Sequence, residues 1–224
     1  MNEDKSNAEI LKAKPPDDYP PEEGCYLLGN PYSPAAVVCM LNCDREKTPP
    51  EIERLTRVSI EKGAAISGTL QTENIGVEKI ICNIAANPNI RYLIICGTEV
   101  NQHYSGDALK ALIKNGINDK RTIIGTKAPS PYLFNIPLKA IKRFRQQLTL
   151  VDLLDEMDPG VVSQAVWSCY QEPGKPVQFN HYMLYDPGAY PEPAICCTLT
   201  GKIKDPSEIE EWELDDIIKE IGGD

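Results

Sequence analysis

The sequence predicts a Rossmann-like α/β domain with a mostly parallel sheet and helices on both faces. Three observations predict it: apolar runs of strand length, helix-period segments between them, and glycines where the runs end. Strand, helix, strand, helix at these intervals reads as parallel βαβ units.

Residues 1–23 carry Pro15, Pro16, Pro20 and Pro21 among charges and read as a flexible arm. A short apolar entry (25–28) precedes a strand over 35–41. Thr48-Pro49-Pro50-Glu51 reads as a helix start, with Thr48 as cap and prolines in the first turn, and the helix runs to about Lys62. The apolar segment between Gly63 and Gly68 suits a strand end. Thr72-Glu73-Asn74 opens the next helix, whose Ile75, Val77, Ile80, Ile81 and Ile84 share one face. Residues 90–96 are apolar throughout their second half and read as a fully buried parallel strand. A helix then begins near Ser105. A further strand is expected at 122–125, then a proline-rich loop to 137, a basic amphipathic helix over 138–148, and one more strand at 150–154. These elements make a domain spanning 24–172. Past it, 173–224 read as an appendage: a hairpin of 179–185 and 194–200 around Asp186-Pro187-Gly188, then an acidic helix from Pro206.

Bulk composition narrows the function. A chain of 224 residues buries one good core. Its net charge of -10, from 23 Lys+Arg against 33 Asp+Glu, argues against a nucleic-acid or anionic-membrane surface, because phosphate binding needs a concentrated positive field. No run approaches the ~20 apolar residues of a spanning helix. The N-terminus lacks the apolar core of a signal peptide, so a cytoplasmic protein is expected. The 8 cysteines form no Cys-x-x-Cys pair; Cys39, Cys82 and Cys96 sit in apolar segments and read as small hydrophobes. Neither a dinucleotide fingerprint, a phosphate loop nor a nucleophile elbow occurs.

In open α/β sheets, ligands bind outside the carboxyl ends of the strands. The 90–96 strand feeds a loop containing His103, one of 2 histidines in the chain; the other, His181, reads as structural. Neutral imidazole is a common metal ligand, and its other nitrogen needs an oriented partner. Glu99, Asn101, Ser105 and Asp107 share that loop, and Gly106 permits close approach of something large. Asn101-x-His103-x-x-Gly106 resembles the Asp-x-His-x-x-Gly signature of cobalamin-binding domains, with asparagine in the aspartate's place. The downstream elements of that signature are missing, and a lone loop histidine is more often a surface residue. Lys139, Lys142, Arg143 and Arg145 read as a solvated helix face. The Ser130-Pro131-Tyr132-Leu133-Phe134 stretch reads as a lid or as an ordered loop.

A wider set of motifs, within 24–150, carries a resemblance: Gly29-Asn30-Pro31, the 63–68 segment, 72–79, Asn87-Pro88-Asn89-Ile90-Arg91, 94–99 with His103 and Gly106, Ile123-Ile124-Gly125-x-Lys127, and Arg143-Phe144-Arg145-x-Gln147. Together they resemble the A subunit of tetrahydromethanopterin S-methyltransferase. The resemblance implies an archaeal corrinoid protein holding a cobamide (cobalamin or 5-hydroxybenzimidazolylcobamide), with His103 as the lower ligand to cobalt. It further implies that Gly68, Thr72, Glu73, Asn74, Gly97, Glu99, Asn101, Gly106, Gly125 and Pro129 face the cofactor. The implied function is methyl carriage from methyl-tetrahydromethanopterin to a thiol such as coenzyme M, in methanogenesis and one-carbon metabolism. Partner subunits that donate and accept the methyl group are implied with it. Family members in the membrane complex end in a hydrophobic anchor; this chain ends in an acidic segment, so a stand-alone version outside sodium pumping is expected. The alternative is a cofactor-free binding or regulatory module on the same fold.

Overall fold

A computed structural model describes residues 12–43, 47–169 and 186–199, together with the backbone of 177–179 and 182–184. Among them run seven strands and five helices: β1 (Tyr26–Leu28), β2 (Ala35–Met40), α1 (Pro50–Glu61), β3 (Ile66–Leu70), α2 (Ile75–Ala85), β4 (Tyr92–Gly97), α3 (Ser105–Asn115), α4 (Leu138–Gln147), β5 (Thr149–Leu154), α5 (Pro159–Ser168), β6 (Val177–Phe179) and β7 (Tyr182–Leu184).

The main sheet has the order β1-β3-β2-β4-β5. β2, β3, β4 and β5 are parallel, and β1 adds an antiparallel edge against β3. The sheet is thus mostly parallel, as expected, with one antiparallel edge strand making it mixed. The direction of winding reverses between β2 and β4: β3 is added on one side of β2, and β4 on the other. Their facing carboxyl ends form the topological switch point of a doubly wound sheet.

Side-chain alternation on the strands separates two cores. Val38, Met40, Leu93 and Ile95 pack under α2, α3 and α4 with Ile81, Leu109 and Phe144. Val37, Cys39, Ile94 and Cys96 pack on the other face, with Leu55 of α1 and Val162, Ala165 and Val166 of α5. Helices thus cover both faces, and each such buried aliphatic side chain contributes about 1.5–3 kcal/mol. The buried cysteines behave as the hydrophobes expected: the Cys39 and Cys96 sulfurs touch at 3.5 Å, and all eight thiols are free. The Cys96 contact and burial hold the Cys39 thiol well above its ordinary range, which removes it as a nucleophile.

Four local expectations need correcting. Residues 122–125 form no strand; they make isolated bridges, Ile117 to Ile123 and Thr122 to Tyr132. The sheet position beside β4 belongs to β5, whose six residues pair with all of β4, and a four-residue run ending in glycine cannot compete. Helix α1 takes Pro49 rather than Thr48 as its N-cap, with Pro50 at the first helical position. The basic stripe of α4 is divided: Lys139 and Lys142 are exposed, but Arg143 is buried, bonding the Glu192 carboxylate and the Pro193 carbonyl. Arg145 donates to the Ile113 and Lys114 carbonyls at the end of α3. The hairpin joins β6 to β7, ahead of Asp186, and 194–199 form no strand. The acidic segment from Pro206 and His181 lie outside the described residues.

Residues 12–23 and 186–199 lie across the amino end of the sheet and the α2–α4 surface. Ala13 exchanges two hydrogen bonds with the Asn89 side chain, and Glu22 two with that of Asn83. Lys12 pairs with Asp186, Tyr190 donates to the Pro88 carbonyl, and Ile195 donates to that of Ala85. No described helix is long and apolar enough to cross a membrane.

Candidate functional site

Four connections meet at the carboxyl edge of the parallel strands: 41–43 after β2, 71–74 after β3, 98–104 after β4, and 155–156 after β5. Side chains rather than secondary structure bind them together. Asn42 reaches across the switch point, donating to the Thr98 and Glu99 carbonyls (3.0 Å each) and accepting from Asn101 N–H at 2.8 Å. Asp155 accepts from Glu99 N–H (2.9 Å). Gln71 donates to the Cys43 carbonyl, and the buried Ser105 hydroxyl donates to that of Gln71 at 2.8 Å.

His103 stands at the crest of this assembly. Its flanking residues, Gln102 (φ 66) and Tyr104 (φ 50), both occupy the left-handed region. Each costs about 1 kcal/mol for a residue with a Cβ, and such strain collects at functional sites. His103 Nδ1 lies 2.7 Å from Glu73 Oε2. The Glu73 side chain is 3% exposed and that of His103 48%. Glu73 also accepts from Ser130 N–H with its other oxygen, at 3.1 Å. A carboxylate at Nδ1 favours the tautomer with its proton there, the form in which Nε2 carries the lone pair.

The predicted site residues fall into groups. His103 and Glu73 are in direct contact, and Pro129 is joined to them through its neighbour Ser130. Glu99 is a helix cap: its carboxylate accepts from Gly106 N–H (2.9 Å) and Asp107 N–H (2.7 Å) at the start of α3. Gly106 is where α3 passes Leu154, since an added Cβ would lie 2.6 Å from that side chain. Gly97 (φ +88) ends β4 with its Cα against the Met40 backbone, 3.0 Å from where a Cβ would stand. Asn101 enters through its backbone. Thr72 and Asn74 cap α2, accepting from Gly76 and Ile75 N–H respectively. Gly125 lies on the stretch returning along α3, between Asn115 and the Thr126–Asp107 hydrogen bond.

Gly68, Thr72 and Asn74 instead line a neighbouring groove of about 420 Å³ between α2 and the β1–β3 edge, with Tyr26, Ile75 and Ile80. Neither His103 nor Glu73 lines it. Glu73 points the opposite way from its two neighbours, so one short turn serves both surfaces.

Sequence reading sought a partner for the imidazole within its own loop, among Glu99, Asn101, Ser105 and Asp107. The partner is Glu73, 30 residues upstream. The stretch read as a lid or as an ordered loop, Ser130 to Phe134, lies in a loop that is tied down at both ends. Ser130 bonds Glu73, and Asn135 bonds the buried Glu78 through both its N–H and its amide at 2.8 Å. The loop is thereby fastened along the first turns of α2, with Leu133 buried and Tyr132 and Phe134 exposed. Their rings stack at 5.3 Å. An exposed, stacked aromatic pair on a loop tied to the imidazole's carboxylate partner is an apolar platform of the kind that marks a binding surface.

Among the described residues, no group of three or more His, Cys, Asp or Glu is placed to hold a bare metal ion. A lone imidazole with a buried carboxylate behind it suits a metal whose remaining positions are filled by something other than protein. The fold and site define a doubly wound α/β domain presenting one oriented, half-exposed imidazole near its switch point.

Residues 12–205 match the family described as the A subunit of tetrahydromethanopterin S-methyltransferase. Two relatives from Methanothermobacter thermautotrophicus are named as subunits A 1 and A 2 of tetrahydromethanopterin S-methyltransferase. The first is 37% identical over 205 residues, 91% of this chain and 74% of the relative. The second is 41% identical over 162 residues, covering 71% and 82%. The A subunit from Methanocaldococcus jannaschii is 37% identical over 211 residues, covering 94% and 78%. The chain belongs to the family of tetrahydromethanopterin S-methyltransferase A subunits. The match extends beyond 24–150 at both ends, taking in the described strap at 186–199 and the residues from Lys12 onward.

Proposed function

We propose that this protein is a corrinoid-binding methyl carrier in a methyltransferase system, in which His103 Nε2 would hold the cobalt. The observation that carries the reading is the His103–Glu73 contact of 2.7 Å: the buried carboxylate favours the tautomer with its proton on Nδ1 and the lone pair on Nε2. Ligating histidines characteristically have such a second partner, which fixes the ring's orientation and raises its basicity. When bound, the corrinoid supplies a cobalt centre able to take a methyl group from a methylated pterin nitrogen and give it to a thiolate such as that of coenzyme M. The residues around it bind, orient and shield. Glu73 sets the tautomer, Ser130 N–H holds the second Glu73 oxygen, and the exposed Tyr132–Phe134 pair offers apolar surface to a macrocycle. Family membership supports the methyl-transfer role, since the relatives are named as methyltransferase subunits. It also supports partner subunits that donate and accept the methyl group.

The test is a visible-absorption titration of the purified protein with hydroxocobalamin, beside His103→Ala. Saturable binding with a spectral change that His103→Ala abolishes is the expected result. Identical spectra in the two proteins would remove the ligand assignment, and a folded protein that binds nothing would favour a cofactor-free module.

A further inference from the structure

Resting on the reading of His103 as a ligand, we infer that Asn42 is its positioning residue: it locks the 98–101 backbone so that the strained turn after it presents the imidazole to Glu73. Asn42 follows β2 directly, across the switch point from the His103 loop. Its side chain spends both amide protons and its oxygen on three backbone groups of that loop: Thr98 O, Glu99 O and Asn101 N. These are the residues just before Gln102, Tyr104 and their left-handed backbone. A turn with two such residues around His103 persists only when neighbouring bonds over-determine it. On the near side of the turn, those bonds come from Asn42 and from Asp155, which takes Glu99 N–H. On the far side, the Glu99 carboxylate and Ser105 fix the start of α3.

Asparagine is required by this pattern. Two donors and one acceptor in a single plane match two carbonyls and one N–H; aspartate, with the same shape, would set oxygen against oxygen at Thr98 and Glu99. Asn42 is exposed and contributes little to the core, so its removal should spare the fold.

The test uses 15N-labelled full-length protein without corrinoid, recording long-range proton–nitrogen spectra of the imidazoles; with 2 histidines in the chain, a His181→Gln control assigns them. Wild type should show His103 protonated at Nδ1 alone. Asn42→Ala and the isosteric Asn42→Asp should both show mixed tautomers, with melting temperatures close to wild type. A His103 tautomer unchanged in either variant overturns the inference, and Asp behaving as wild type would mean that Asn42 only fills space. A hydroxocobalamin titration of the same samples separates this claim from the one it rests on. About tenfold weaker binding in Asn42→Ala is expected, on the scale seen for residues that orient a metal ligand. No binding by wild type would overturn the corrinoid reading, while the imidazole spectra would still decide the role of Asn42.

Discussion

The two ends of the parallel sheet are both laced with polar side chains, to opposite effect. At the amino end the groups are turned inward. Asn87, Asn89 and Gln147 are buried, and the Gln147 amide alone reaches the carbonyls of Ile84, Asn87 and Ile90. Arg91 ties Gln147 to Gly188, and Arg91 and Arg143 both lie against the Tyr190 ring. Every bond there joins chain to chain: the arm, the α2–β4 turn and the 186–199 strap. At the carboxyl end the bonds stand on exposed loops and converge on His103, whose imidazole is bonded through Nδ1 alone among the described residues. The lesson is that a polar network turned inward on buried backbone holds the fold together, whereas one raised on exposed loops around an imidazole is available for binding.

That contrast can be broken deliberately. The largest effect is expected for Gln147→Ala, which orphans buried carbonyls at a cost of about 1–3 kcal/mol each where water cannot reach. Urea unfolding should show a loss of about 2–4 kcal/mol, with the hydroxocobalamin response of the folded protein intact. Arg143→Leu keeps an apolar stem but drops the bonds to Glu192 and Pro193. A loss of about 1.5–3 kcal/mol is expected for hydrogen bonds made by a buried charge. Limited proteolysis should then cut first within 186–199.

Substitution at the other end should invert the pattern. In Glu73→Gln, the amide oxygen can keep Ser130 N–H, but its NH2 then faces His103 Nδ1 and drives the ring's proton to Nε2. Corrinoid binding should fall by about 10–100-fold, the range for loss of a ligand's partner, with little change in the melting temperature. If stability falls and affinity does not, the two ends have been assigned the wrong way round.

The smallest effect concerns Glu78, which fastens the 130–135 loop from a fully buried position. Burial raises its pKa, and the Asn135 hydrogen bonds only partly offset this. A carboxyl with a raised folded pKa contributes most below its unfolded value, about 4.3, and loses that contribution as pH rises through the folded value. The stability of wild type relative to Glu78→Gln should therefore decline as pH is raised above about 4.3. A difference that is flat or grows with pH would contradict the burial argument.

Much of this arrangement was legible in the sequence because it is local. The apolar run at 92–96 could only be a buried strand, and a strand followed by a loop and a helix put His103 at the ligand-binding edge. The start of α2 was legible in Thr72 and Asn74, which do cap it. The partner of His103 was not, because Glu73 reaches it only through the order of β3, β2 and β4, and no spacing rule encodes that order. Asn42 was hidden for the same reason. Residues 122–125 misled because strand propensity there is real, but β5 takes the place. Arg143 misled because an arginine on a helix face looks solvated until the 186–199 strap is laid across it.

The most direct measurement of the central claim is the electron paramagnetic resonance spectrum of protein carrying cob(II)alamin, prepared once with ordinary and once with 15N-labelled histidine, in a His181→Gln background. If His103 Nε2 is the lower ligand, the nitrogen splitting is a triplet in the first sample and a doublet in the second. A triplet in both would mean that the cofactor's own base holds the cobalt, and the assignment of His103 would be wrong.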